Sequence, residues 1–148
     1  MPGNQKSSSP YDGDELNLCL AKVLDFGNTF AIVVSGDSWN PCGHLILKVG
    51  AVDSYYFHIA GAYARPKVMR ELGFKSYLRE NRKRILSERP VKIPKPYAAQ
   101  VKLEELMSKR WLWLMASNNC ASFLEDIVQA GGSDAGLWLN CPTLERFS

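Results

Sequence analysis

Three side chains in this sequence have the types needed for nucleophilic catalysis: Cys120, His44 and His58. Cys120 sits at the start of a stretch, Asn118 to Gly132, that predicts a helix with both ends marked. Asn118 or Asn119 can cap the first turn, and Gly131-Gly132 supplies the residue that commonly ends a helix. Phe123, Leu124, Ile127 and Val128 follow Cys120 at +3, +4, +7 and +8, so the thiol lies on the apolar stripe of that helix. In the first helical turn, unpaired N–H groups and the helix dipole favour a thiolate, the nucleophilic form. Most free cysteines are simply small buried hydrophobes, so position alone does not make a site. The chemistry needs a base within hydrogen-bond reach of the thiol and a third group that orients the base.

His44 and His58 can fill those roles. His44 opens a predicted strand, His44 to Gly50, just after a turn-rich loop over 37–43. His58 lies in the next predicted strand, Ser54 to Ala60, on the face it shares with Ser54, Tyr56 and Ala60. The two strands predict a hairpin with a short connection at Ala51-Val52-Asp53. A single histidine in a strand is more often structural; two in adjacent strands, ahead of a capped cysteine, form a constellation. Cys42 is the second candidate nucleophile, with His58 as its base, although it stands only two residues before His44. Cys141 follows an asparagine as Cys120 does, but Pro142 and the lack of a helical stripe make it structural. The four cysteines, at 19, 42, 120 and 141, have neither disulfide-scaffold nor zinc spacing, and no metal or cofactor is implied.

Together these residues are similar to a known group. Gly43-His44-Leu45-Ile46-Leu47-Lys48-Val49-Gly50, then Phe57-His58, then a tryptophan-bearing segment and Asn119-Cys120-Ala121-Ser122-Phe123, resemble the permuted papain-like proteins. That group includes NlpC-type cell-wall peptidases and lecithin:retinol acyltransferase-like enzymes. The resemblance spans roughly residues 43–130. It implies an α+β domain in which an antiparallel sheet carrying His44 and His58 packs against the Cys120 helix. It also implies Cys120 as nucleophile, His44 as base and His58 as the residue that orients His44. Ala121-Ser122 stand where the lipid-handling members commonly have Glu-His, which places that branch second.

The remaining elements must position this trio. A flexible leader over 1–13 is expected from its Gly, Ser and Pro content, followed by one domain over 14–148. Thr29 to Val34 predicts a strand, Pro66 to about Asn81 a basic helix weakened by Gly73, and Pro96 to about Arg110 a second helix. Arg84 to Ser87 and Pro90 to Pro94 read as short strand pieces punctuated by proline, and Trp111 to Met115 as a buried strand.

Composition sets the outer bounds. At 148 residues, 46% hydrophobic and 22% charged, the chain is of ordinary globular type, with no apolar run near the ~20 residues that span a membrane. The start of the chain lacks the features of a secretory signal, so a cytoplasmic product is expected, exported if at all by a specialised secretion system. The net charge of +3 hides an uneven distribution: residues 65–96 hold eleven basic and three acidic side chains, between two acidic regions. Such a segment suits an anionic cell-wall polymer or lipid surface; no nucleic-acid motif accompanies it. The activity that the resemblance implies is cysteine-dependent cleavage of an amide bond in bacterial cell-wall peptide, as in an antibacterial effector held in check by an inhibitor protein. The alternatives are a lipid acyltransferase or phospholipase with the same residues, and a non-enzymatic binding module that uses residues 65–96.

Overall fold

A computed structural model describes residues 10–15, 23–36, 43–59, 66–108 and 126–133. They form an α+β arrangement built on one antiparallel sheet of six strands: β1 (Asp14–Glu15), β2 (Thr29–Val34), β3 (His44–Val49), β4 (Tyr55–Ile59), β5 (Pro66–Met69) and β6 (Ile85–Val91). The spatial order is β1-β5-β4-β3-β2-β6, so β2 to β5 form a meander and β6 returns to the opposite edge. Helix α1 (Glu71–Glu80) makes that return, and α2 (Pro96–Ser108) follows β6. Among the described residues no helix is long and apolar enough to cross a membrane.

β2 reads Thr-Phe-Ala-Ile-Val-Val, an almost unbroken apolar run, because it is central and buried on both faces. Its register with β3 places Val34 opposite His44 and Thr29 opposite Val49. The expected hairpin forms, with Leu47 opposite Phe57 and Val49 opposite Tyr55. Its connection is fixed by Arg70, which donates to the Asp53 carbonyl at 3.2 Å and the Tyr55 hydroxyl at 3.2 Å and pairs with the Asp53 carboxylate. The guanidinium lies 4.0 Å from the Tyr55 ring centroid.

The alternation of strand side chains divides the core in two. One face holds Ala31, Val33, Leu45, Leu47, Val49 and Phe57, covered by Ala99 and Leu103 of α2 and by Ile127 and Val128 of the helical residues 126–130. The other holds Ile32, Val34, Ile46, Tyr56 and Met69, covered by Phe74 and Tyr77 of α1. On this second face Phe74 stacks on Tyr56 at a centroid distance of 4.2 Å.

Three expectations change. Pro66 to Met69 is a strand rather than the first turn of a helix, because Lys67 and Val68 pair with both β4 and β1. Tertiary pairing overrides the helical reading there, and α1 starts only at Glu71. The proline-punctuated pieces around 84–94 are one continuous strand, in which Pro90 is tolerated because β6 lies at the sheet edge. The end of the expected leader is tied to the body. Tyr11 N–H donates to Glu80 Oε1 at 2.9 Å, Asn81 Nδ2 donates to the Tyr11 carbonyl at 2.8 Å, and Lys67 pairs with Asp12 at 3.7 Å. Gly73 explains itself here: a side chain at that position would meet the Tyr11 hydroxyl at 3.0 Å. The expected strand at 111–115, the start of the Cys120 helix and all four cysteines lie outside the described residues.

Candidate active site

His44 and His58 meet on the α1 face of the sheet. Both follow the parity of Ile46 and Tyr56, as alternation requires. His44 Nε2 lies 2.7 Å from His58 Nδ1, and the rings cross edge-on with centroids 5.0 Å apart. His58 is fully buried and His44 only partly. The second nitrogen of His58, Nε2, lies 2.7 Å from the backbone carbonyl of Asp12. Tyr77 of α1 closes over His58 with its ring edge-on at 5.2 Å.

These contacts fix the tautomers of the neutral pair. A carbonyl oxygen only accepts, so the proton of His58 sits on Nε2 and its Nδ1 bears a lone pair. That lone pair accepts from His44, so the His44 proton sits on Nε2. His44 Nδ1 is left as the basic nitrogen. The arrangement is a directed relay from the Asp12 carbonyl through His58 to His44, with its basic end at the start of β3.

Electrostatics keep both rings neutral near pH 7. Burial lowers the His44 pKa to about 3, helped by His58 and by the positive charge of Lys83. Burial also lowers the His58 pKa to about 4; the Asp12 carbonyl bond and the Asp12 charge oppose this, and Lys67 adds to it. A neutral ring offers a lone pair. With its pKa lowered to about 3, however, His44 becomes an effective base near pH 7 only where a neighbouring thiolate pairs with the protonated ring and raises that value.

Gly13 makes the Asp12 contact possible. Its φ is +113°, and a Cβ there would stand 2.9 Å from the Lys67 Cβ and 3.3 Å from the Val68 carbonyl. Only glycine lets the chain approach β5 closely enough to turn the Asp12 carbonyl toward His58.

Of the three sequence-derived site residues, two are therefore in direct contact, while Cys120 lies outside the described residues, as does the alternative Cys42. Ile127 and Val128, at the far end of the expected Cys120 helix, pack on the sheet face opposite the histidines. Among the described residues no group of three or more His, Cys, Asp or Glu side chains could hold a metal ion. Sequence reasoning missed the Asp12 carbonyl, Tyr77 and Lys83. A backbone carbonyl leaves no sequence signal, whereas Lys83 was visible as part of the basic run. No family model matches the chain, and neither a curated protein nor a solved structure does.

Proposed function

We propose that the chain is a cysteine-dependent hydrolase of the permuted papain-like kind, with Cys120 as nucleophile, His44 as base and His58 as orienting residue. The observation that carries this reading is the relay from the Asp12 carbonyl through His58 to His44, each step at 2.7 Å. Two neutral rings joined in this direction leave one lone pair at the His44 end, available to a thiol. Here the thiol proton of Cys120 passes to His44 Nδ1 as sulfur attacks the carbonyl carbon of an amide. His44 returns the proton to the departing amine, leaving a thioester. Water then attacks, giving up a proton to the same nitrogen, and the acid and the free thiol are released. N–H groups at the start of the 119–131 helix would hold the oxyanion.

Ile127 and Val128 pack on the sheet face opposite the histidines, so this assignment requires the thiol to meet His44 around the end of the sheet. A peptide amide of the bacterial cell wall is the substrate the resemblance favours, and delivery as an antibacterial effector follows from the same likeness.

The test is site-resolved alkylation with iodoacetamide at pH 7, read by mass spectrometry. Cys120 should react before Cys19, Cys42 and Cys141, and His44→Ala should slow it. Uniform labelling, or Cys42 reacting first, would overturn the assignment.

A further inference from the structure

Three consecutive cations, Arg82, Lys83 and Arg84, stand at the histidine end of the sheet. Their backbone is held firmly. The Lys83 N–H donates to the Leu78 carbonyl at 2.8 Å, with Arg82 in the left-handed region at φ +54°. The Arg84 N–H donates to Ser35 Oγ at 3.1 Å, and its carbonyl accepts from the Ser35 N–H at 2.9 Å. Ser35 directly follows Val34, the residue paired with His44. Lys83 is half-buried, and its charge opposes protonation of His44.

Among the described residues, none of these cations has a carboxylate partner. Glu80 pairs with Arg79 at 3.9 Å and Glu88 with Lys48 at 3.8 Å. Elsewhere in the basic run Lys67 and Arg70 pair with Asp12 and Asp53, and Lys75, Arg89, Lys92 and Lys95 also lack a carboxylate partner among the described residues. What sets 82–84 apart is their place at the His44 end. Three consecutive cations with no carboxylate partner among the described residues raise the local positive potential, which attracts an anion. Beside them β6 is an edge strand with no further neighbour among the described residues, open to pairing by an extended chain. Ile85 and Leu86, 44% and 43% exposed, offer apolar contact along it.

We propose that Arg82, Lys83 and Arg84 hold a free carboxylate of an extended peptide substrate that lies along β6 and presents its amide to the His44 end of the sheet. The inference rests on the hydrolase reading and adds the substrate's charge and its docking edge. A peptide on the outer edge of β6 lies three strand spacings from β3, about 14 Å, so the recognised carboxylate lies about four residues from the amide that is cut.

Peptide amides carrying such a carboxylate, together with their amidated twins, test the idea in the full chain. The wild type should prefer the carboxylate form by about tenfold in kcat/KM, a factor in keeping with two partly screened charge contacts. In the Lys83→Gln/Arg84→Gln variant, whose backbone bonds to Ser35 are retained, the ratio should fall to within about twofold, with the loss in KM. Equal cleavage of both twins by the wild type overturns the carboxylate site and leaves the hydrolase reading intact. Failure to cleave either peptide, with Cys120 alkylation still dependent on His44, overturns the peptide inference alone. Product from anionic phospholipid vesicles and none from peptides does the same, in favour of a lipid. Alkylation indifferent to His44 overturns both the inference and the reading beneath it.

Discussion

The two faces of the sheet are built to different ends. The face under α2 is aliphatic: Val33, Leu45, Leu47, Val49, Leu103, Ile127 and Val128 surround Phe57. The face under α1 is aromatic and polar. Tyr56 donates to Glu71 at 2.9 Å, Lys48 approaches the Phe30 and Tyr56 rings, and the two histidines bond to each other. An aliphatic face supplies stability without preferred direction. Directional contacts cost stability if any partner is missing, but they can aim a single nitrogen. The difference says that β3 and β4 serve both faces at once, with Leu45, Leu47 and Phe57 on the aliphatic side while His44 and His58 alternate onto the polar one.

The comparison breaks most visibly at His44. His44→Ala should lower turnover by about 100- to 10,000-fold, whereas His58→Gln should keep part of the activity. The loss at His44 should exceed what is explained by leaving the buried His58 Nδ1 without its donor, a cost of about 1–3 kcal/mol. Equal, small losses at both positions would remove the relay from the mechanism. On the opposite face, Leu47→Ala should cost about 2–5 kcal/mol in urea unfolding, while Cys120 in the folded fraction keeps its lead over the other cysteines.

Acid should act through the histidine face. Both histidines are neutral in the fold, with pKa values lowered to about 3 and about 4, while the unfolded chain takes up protons near the ordinary 6.5. Unfolded molecules therefore bind more protons as pH falls, and stability declines from about pH 6.5 down to the folded-state values. Denaturant midpoints measured from pH 8 to 4 should show that slope in the wild type and a shallower one in His58→Gln. An unchanged slope would mean that the pair is not buried neutral. The smallest effect is expected at Tyr56→Phe, which removes the bond to Glu71 and should cost about 1 kcal/mol by the same measurement.

Much of the sheet was legible because strand alternation is a simple code. The strand at Thr29 to Val34, the hairpin of His44 and His58 and the helix from Pro96 all follow from residue pattern. That the histidines share a face needed the hairpin register as well, since parity fixes only the alternation within each strand. What alternation cannot give is the identity of the layer above. Nothing in the pattern of α1 says that Tyr77 rather than the Cys120 helix covers His58. Pro66 to Met69 escaped because four residues are too few to separate strand from helix when partners on both sides decide the outcome. Asp12 escaped because its contribution is a carbonyl, identical in every residue.

That carbonyl also sets an order in time. The contact between Asp12 and His58 joins residues separated by 46 positions, whereas the β3–β4 hairpin closes over a short connection. Local pairs form early and distant ones late, because the longer loop must be closed first. During refolding the histidines should thus come together before the N-terminal segment arrives to fix their protons. The fold would pass through a stage in which the β3–β4 hairpin has brought the two histidines together while the edge strands β1 and β6 and the Asp12 contact, all closed over longer loops, are still to arrive.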